Sequence, residues 1–170
     1  FRVVEDNETV QVLPGLYEEQ GDDGVGSSAI IWPNKTGLTL IGDDKSNTTI
    51  SGNLEYQLFS IGVNTVDSYD EGEIYGDTNG NGVFDSDEIH IDLNTNQGDI
   101  RIENFTIREG HEEGPTSYGG AFYIWHINQI DLINVDLLNN RAIDASSVGG
   151  AVYISSSKAN IENATIANNY

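Results

Sequence analysis

The chain has 170 residues, enough for one domain with a sizeable core, and its 28 acidic residues against 7 basic ones give a formal net charge of −21. This charge repels nucleic acids and anionic membrane surfaces and attracts cations, and the absence of cysteine excludes disulfides and thiol chemistry. No apolar run could span a bilayer, no signal-peptide pattern is present, and the chain opens on Phe1 without any methionine, so we interpret it as a processed or excised piece of a larger protein.

The first sixty residues consist of short apolar runs separated by turn-forming residues. The segments "VQVLPGLYEE" at 10–19 and "GLTLIGDDKSNTTISGN" at 37–53 show the pattern. Alternation of apolar and polar residues predicts strands, and Gly, Asn, Asp and Pro predict the turns between them. No part of the chain carries the apolar stripe of a capped helix, so we predict an all-β fold.

The segment from about 63 to 98 interrupts this pattern and is the most acidic part of the chain. Between Lys45 and Arg101 there is no Lys or Arg, whereas the same interval contains eleven Asp or Glu residues. Ordering that much negative charge in a compact fold is unfavourable unless metal ions or high salt compensate it. We therefore predict an insertion at about 63–98 that is stabilised by bound metal ions.

Within the insertion, residues 77–88 match a twelve-residue calcium loop. The predicted oxygen ligands, at loop positions 1, 3, 5, 7, 9 and 12, are Asp77, Asn79, Asn81, Val83 (through its carbonyl), Asp85 and Glu88. Gly82 occupies the sharp-turn position 6, and oxygen-only ligands with one bidentate carboxylate suit Ca²⁺. Because the flanks look extended, the loop is similar to those of dockerins and thrombospondin-type repeats and not to a helix-flanked EF-hand.

Two alternatives concern these acidic segments. The loop at 77–88 could be a hairpin turn rich in Asn and Gly that binds no metal. The acid clusters at 22–23, 43–44 and 67–73 are candidate sites for weakly bound ions, but a solvated acidic surface is the favoured interpretation for them.

An internal repeat runs through the second half of the chain. The segments "IRIENFTIREG" at 100–110, "IDLINVDLLNN" at 130–140 and "ANIENATIANN" at 159–169 align, and "GGAFYI" at 119–124 returns as "GGAVYI" at 149–154. Two markers with one period of about thirty residues, built from short strands and turns, predict one solenoid coil per repeat. Parallel stacking of coils would place Asn104, Asn134 and Asn163 in an inward amide ladder, because Asn tolerates the left-handed backbone of a sharp bend.

Together these segments resemble the opening coils of right-handed parallel β-helix proteins, a group that includes pectate-lyase-like and pectin-methylesterase-like enzymes and many surface proteins. The resemblance implies a single β-helix domain over 1–170, with the insertion at about 63–98. It does not imply one activity, because the same coils serve lyases, esterases and adhesive stalks. Such folds usually begin with a capping helix; none precedes Phe1, so we expect omitted sequence or a neighbouring molecule to cover the ends.

The segment "REGHEEG" at 108–114 is the strongest candidate for chemistry outside the loop. A zinc helix would need a second histidine where Pro115 stands, which excludes that type of metalloprotease site. A lyase would need an Arg or Lys facing calcium-bound carboxylates, but Arg108 aligns with Leu138 in the next coil, so no basic column forms. We favour a charged loop, and ordinary strand positions for the lone imidazoles of His90 and His126.

The aromatic residues of the second half suggest a further surface function. Phe122, Tyr118, Tyr123, Trp125 and Tyr153 could form a platform for sugar rings, although strand alternation buries about half of such a group. Five Asn-X-Ser/Thr sequons are also present. If Asn104 and Asn163 are shielded in the ladder, the plausible glycan carriers are Asn7, Asn34 and Asn47.

These observations lead to three hypotheses. The first is a non-catalytic, calcium-stabilised segment of a secreted or cell-surface protein, which serves adhesion or extracellular assembly, with Ca²⁺, copies of itself or surface glycans as partners. The second is a fragment of a carbohydrate-active enzyme of the polysaccharide-lyase kind. The third is a glycan-binding module that does not cleave its ligand.

Overall fold

The computed structural model describes residues 5–18, 28–31, 35–61, 74–75, 90–91, 99–113, 117–125, 127–143 and 146–170. These residues form β-strands joined by turns, with no helix among them. The strands are β1 (Thr9–Val12), β2 (Gly15–Glu18), β3 (Ser28–Ile31), β4 (Thr39–Gly42), β5 (Thr48–Ser51), β6 (Gln57–Ile61), β7 (Ile74–Tyr75), β8 (His90–Ile91), β9 (Ile100–Arg108), β10 (His111–Glu113), β11 (Phe122–Trp125), β12 (Ile130–Leu138), β13 (Arg141–Ile143), β14 (Val152–Ser155), β15 (Ala159–Glu162) and β16 (Thr165–Ala167).

The strands stack in parallel from one coil to the next. Ile102 of β9 pairs with Leu132 of β12, and Leu132 in turn pairs with Ile161 of β15, which is the register that the repeat predicts. An eight-stranded sheet contains β1, β2, β4, β5, β9, β12, β15 and β16, a four-stranded sheet has the order β14-β11-β6-β3, and β10 pairs with β13. The predicted right-handed parallel β-helix, with about thirty residues per coil, is confirmed.

The register also locates additional chain between two stacked coils. Thr9 pairs with Thr39, one period along the chain, whereas Thr39 pairs with Arg101, about two periods along. The additional residues lie between Ile61 and Asp99, the interval in which the sequence predicts the insertion. Its extent as a separate element of the domain stays a prediction.

Strand alternation builds the core. Along β9 and β12 the inward positions are fully buried, whereas the outward positions are partly exposed. Phe59 and Phe122 face each other from β6 and β11, and their rings stack with centroids 4.8 Å apart in the interior. Burying a side chain of this size stabilises the fold by about 1.5–3 kcal/mol, so each stacked coil contributes apolar contacts that an isolated coil could not make.

The asparagine ladder forms at a bend within the large sheet. Asn104, Asn134 and Asn163 have φ values of 65°, 52° and 51°, the left-handed conformation that Asn adopts more readily than most residues. Nδ2 of Asn134 donates to Oδ1 of Asn104 at 2.8 Å, and Nδ2 of Asn163 donates to Oδ1 of Asn134 at 2.8 Å. The ladder is confirmed, but full shielding was a wrong expectation for Asn163, which is exposed because no further coil of the described chain covers it.

The Gly-Gly-Ala segments occupy the tight corners that their composition predicts. Gly119 has a φ of 57°, and a Cβ atom there would lie 2.0 Å from the carbonyl oxygen of Phe122. Gly149, one coil later, has a φ of 74° and meets the carbonyl of Val152 in the same way. Gln57, which is buried, fixes the first corner by donating from Nε2 to the carbonyl of Gly119 at 2.8 Å.

Candidate functional sites

The predicted calcium loop at 77–88 lies outside the described residues. Its six candidate ligands, Asp77, Asn79, Asn81, Val83, Asp85 and Glu88, therefore stay a prediction. The strands on either side of the loop are described: β7 and β8 pair antiparallel, with Ile74 opposite Ile91 and Tyr75 opposite His90. The described parts of the flanks, Ile74–Tyr75 and His90–Ile91, are extended as predicted, and the rest of the flanks lies outside the described residues.

In the described part of the chain, no group of three or more His, Asp or Glu side chains could hold a metal ion. At 43–44 the carboxylates accept hydrogen bonds within the turn between β4 and β5. Asp44 Oδ1 accepts from the backbone N–H of Ser46 at 2.8 Å, and Asp43 Oδ2 accepts from Nδ2 of Asn47 at 2.8 Å. Both acids are exposed, and the hydrogen bonds from Ser46 lower the pKa of Asp44. The clusters at 22–23 and 67–73 lie outside the described residues.

The charged segment 108–113 forms the end of β9 and the short strand β10, so the predicted absence of a zinc helix is confirmed. Arg108 pairs in register with Leu138 on one side and with Ser51 on the other, as expected of a coil without a basic column. Its guanidinium lies 3.7 Å from Glu109, whose carboxylate accepts from Oγ of Ser51 at 2.8 Å. These contacts stabilise the corner at the end of β9. None of them places Arg108 opposite a pair of acids.

His111 is positioned by the backbone of the preceding coil. Its Nδ1 donates to the carbonyl of Leu54 at 2.6 Å, and Nη2 of Arg141, in register on β13, donates to the same carbonyl at 3.3 Å. Nε2 of His111 is buried and has no hydrogen-bond partner in the described residues, and it lies 3.7 Å from Oε2 of Glu113. These contacts fix the imidazole in a coil corner, and among the described residues none of them pairs His111 with a nucleophile.

Glu112 is the residue of this segment with the most perturbed ionisation. It pairs in register with the buried Ala142 and is itself partly buried. Desolvation raises the pKa of Glu112 to about 7, because burial disfavours the charged carboxylate. The side chain is therefore largely protonated below neutral pH in the folded protein.

Glu112 makes a testable contribution to the pH dependence of stability. Its pKa is higher in the folded state than in the unfolded chain, so the folded protein loses stability as pH rises from about 4.5 to about 7. We expect Glu112→Gln to stabilise the protein at pH 8, by about 1 kcal/mol after allowance for solvent screening, and to have little effect at pH 4. Urea unfolding at both pH values measures this. The exposed Glu55→Gln is the matched control, and an equal gain from both variants would contradict the assignment.

The aromatic residues divide between the interior and the surface of the four-stranded sheet. Phe122 is fully buried, whereas Tyr118, Tyr123, Trp125 and Tyr153 lie together on the outer face and are partly exposed; we call these four the aromatic patch. The rings of Tyr123 and Tyr153, from adjacent coils, are 5.5 Å apart and nearly parallel. The prediction that alternation divides this group is confirmed, and its role in sugar binding stays a prediction.

A second column of amides, which was not predicted, lies at the next bend. Oδ1 of Asn140 accepts from the backbone N–H of Gly110 at 2.9 Å, and Oδ1 of Asn169 accepts from the backbone N–H of Asn140 at 2.8 Å. Asn140 is completely buried. The signal was present, because the second asparagine of "LLNN" recurs at the same repeat position in "IANN", with glycine at that position in "REG".

A salt bridge between distant coils was not predictable from the repeat. Lys45, in the turn between β4 and β5, reaches Oδ1 of Asp136 on β12 at 2.9 Å. Strand β9, which lies between the turn of Lys45 and β12, also contacts this turn, since the hydroxyl of Thr106 donates to the carbonyl of Lys45 at 2.7 Å. Burial alone would raise the pKa of Asp136, but hydrogen bonds from Lys45 and Thr165 outweigh it and lower the pKa. We call this contact the Lys45 clasp.

We expect the Lys45 clasp to contribute modestly to stability. Lys45→Met should lower the free energy of unfolding at pH 7 by about 1 kcal/mol, because the pair is only partly exposed and connects three coils. Since the pKa of Asp136 is lowered, this contribution should disappear as pH falls below about 4. A double-mutant cycle with Asp136→Asn measures the coupling. Lys35→Met is the control, because its contact with Glu5 is longer, at 3.6 Å, and more exposed; equal losses would contradict the clasp.

The sequons fall into two groups. Asn104 and Asn163 use Nδ2 in hydrogen bonds, to the carbonyl of Gly42 and to Oδ1 of Asn134, although Asn163 is exposed. Asn7 and Asn47 are exposed turn residues, and Asn34 lies outside the described residues. Glycosylation of Asn7, Asn34 or Asn47 stays a prediction.

Within the described ranges no helical segment has the length and hydropathy needed to cross a membrane. The strand register and the amide ladder of the chain define its fold as a parallel β-helix. No protein-family model, no curated protein and no solved structure matches the chain.

Proposed function

We propose that the chain is a non-catalytic, calcium-stabilised β-helix segment of a secreted or cell-surface protein, which serves adhesion or extracellular assembly. The observation that carries this proposal is how the described polar side chains are used. The two amide columns and the Lys45 clasp all connect one coil to another. They stabilise the stacking of the coils, and among the described residues they do not converge on a reacting group.

The negative charge of the insertion and the pairing of the strands on either side of the loop both favour bound calcium. The interval between Lys45 and Arg101 contains eleven acidic residues and no basic one. The loop with the calcium-ligand spacing connects the antiparallel strands β7 and β8, which would fix its two ends close together. A bound Ca²⁺ would neutralise part of the charge and hold the insertion against the coils, with an affinity of about 10⁻⁴ to 10⁻³ M, as in extracellular modules.

The pectate-lyase-like alternative requires a base opposite metal-bound acids. Arg101 instead forms a salt bridge with Glu103 on its own strand, at 2.8 Å. Arg108 has uncharged neighbours in register, and Arg141 is directed to the Leu54 carbonyl. The described arginines therefore favour a binding or structural role over cleavage. A glycan-binding module remains the second candidate, supported by the aromatic patch.

The test combines three measurements on the whole chain. Calorimetry measures calcium binding, light scattering follows the oligomeric state as calcium is added, and polygalacturonate is assayed for cleavage. We expect calcium binding without cleavage, and assembly on calcium addition would favour an end-to-end structural role. Cleavage would overturn the non-catalytic assignment, and no calcium binding would overturn the assignment of 77–88 as a metal site.

A further inference from the structure

We propose that copies of this chain stack head to tail, with the last coil of one copy covering the first coil of the next. The last coil contains β14, β15 and β16, and the first coil contains β1, β2 and β3. This contact, which rests on the assembly role proposed above, names a second copy of the chain as the partner and the two terminal coils as the surfaces that meet.

The two ends of the solenoid carry matching strands. In the large sheet β1 and β2 form one margin and β15 and β16 the other, and in the four-stranded sheet β3 forms one margin and β14 the other. Among the described residues, no strand pairs with the outer edge of any of these six. Strands of successive coils pair in parallel, so a second copy placed one coil further along would continue both sheets in the same pattern.

Two columns of apolar side chains run along the solenoid and lose their cover at both ends. The register aligns the members of the first column, Val10, Leu40, Ile102, Leu132 and Ile161, and those of the second, Tyr17, Ile50, Ile107, Leu137 and Ile166. In the second column Ile107 and Leu137 are completely buried, whereas the end residues Tyr17 and Ile166 are 42% and 53% exposed. A stacked copy would place Ile166 of one chain against Tyr17 of the next and remove both from water.

The charges at the two ends permit this contact, although each copy carries a net charge of −21. Continuing the register by one coil sets Glu162 opposite Gln11 and Glu18 opposite Ala167. At the positions that the register matches between β1 and β15 and between β2 and β16, no acid therefore faces an acid, which would be destabilising. The net charge still repels the copies over long range, so we expect salt to strengthen the association.

The direction of the strands selects contact between unlike ends. Two like ends could cover both sheets only with antiparallel strands, whereas the first and last coils continue the parallel pairing that the chain already uses. The two contact surfaces of one copy are then different, and each added copy exposes a new terminal coil. Such an assembly does not close on itself, so it should grow beyond a dimer.

Sedimentation velocity of the whole chain over a range of concentrations tests the proposal. The measurement is made with calcium and again with a chelator, at about 1 M NaCl, where the Debye length is about 3 Å. We expect the mass to rise with concentration past that of a dimer. A chain that stays monomeric up to about 1 mM in both conditions would overturn the proposal and would point to a different occupant of the two ends.

Lysine variants at opposite ends identify the surfaces. Tyr17→Lys alters the first coil and Ile166→Lys the last, and each should weaken self-association at least about tenfold, because the contact would bury an unpaired ammonium group. Both changes lower the net negative charge, so added repulsion cannot explain a loss. An equimolar mixture of the two variants should form dimers that grow no further, because each variant retains the intact end that the other lacks.

Ile133→Lys is the matched control. Ile133 is a partly exposed residue of β12, which pairs with a described strand on each side, so this variant should assemble like the unchanged chain. Circular dichroism confirms that each variant is folded. Val10→Lys serves as a second variant of the first coil, because Tyr17→Lys also removes the hydrogen bond from the Tyr17 hydroxyl to the Leu13 carbonyl.

Three outcomes of the variant experiment would overturn head-to-tail stacking. They are undiminished growth of both folded end variants, a mixture that stays monomeric, and an equal loss from Ile133→Lys. Calorimetry separates this stacking from the proposed calcium site. Calcium binding without self-association would overturn the stacking and leave an adhesive role standing, whereas self-association without calcium binding would support the stacking and overturn only the metal site.

Discussion

Replacing Asn134 by glycine is expected to lower the free energy of unfolding by about 2–3 kcal/mol, although glycine readily adopts the left-handed backbone at this position. The amide of Asn134 donates to Asn104 and accepts from Asn163, so its removal leaves both neighbours without their ladder partner. Glycine preserves the bend, and the loss therefore reports the hydrogen bonds of the ladder. Urea unfolding followed by circular dichroism measures it.

Asn139 offers a matched control for this experiment. It has a φ of 57°, it is exposed, and in the described residues its side chain makes no hydrogen bond. Asn139→Gly should change stability by less than about 0.5 kcal/mol. Similar losses at the two positions would mean that the backbone conformation, and not the amide column, is what the asparagines contribute.

Glu88→Gln is expected to weaken calcium binding by more than about tenfold, since position 12 of the loop supplies the bidentate carboxylate. Calorimetry on the two chains measures the difference. Asp67→Asn, which removes the same charge elsewhere in the insertion, should have a much smaller effect. Equal effects would show that 77–88 is not the metal site and that bulk negative charge alone attracts the ion.

Calcium removal should act on one part of the chain. With a chelator, we expect hydrogen exchange to become faster in 63–98 while β9, β12 and the strands stacked on them stay protected. The physical reason is that each coil is supported by its neighbours, whereas the acidic insertion would depend on the ion to offset its negative charge. Identical protection with and without chelator would contradict a structural role for calcium.

Much of the architecture was predictable because each coil of a solenoid has nearly the same local structure as the coil before it. Each coil must place apolar residues inward and a left-handed residue at the bend, so the same side chains recur about every thirty residues. The register of Ile102, Leu132 and Ile161 follows directly from that recurrence. The amide ladder follows as well, because identical side chains in register lie within hydrogen-bonding distance of each other.

Contacts that cross the repeat were not predictable in this way. Nothing in the order of residues relates Lys45 to Asp136, which lie in coils separated by β9. The raised pKa of Glu112 likewise depends on how deeply its corner is buried, which the alternation pattern of a three-residue strand does not reveal. Tyr118, Tyr123 and Tyr153 were grouped from the sequence as a candidate aromatic platform, but the direct contact of the Tyr118 ring with the other two was not predictable, because Tyr118 lies before a tight glycine corner and outside any named strand.

The sequence by itself determined the coil, its period, its core positions and its first amide column, because these arise from short-range patterns that stacking repeats without change. Only the tertiary structure decided which charged and aromatic side chains meet, since those contacts depend on the direction in which each corner turns and on how far a long side chain reaches across coils. The Lys45 clasp and the ring contacts within the aromatic patch belong to this second class.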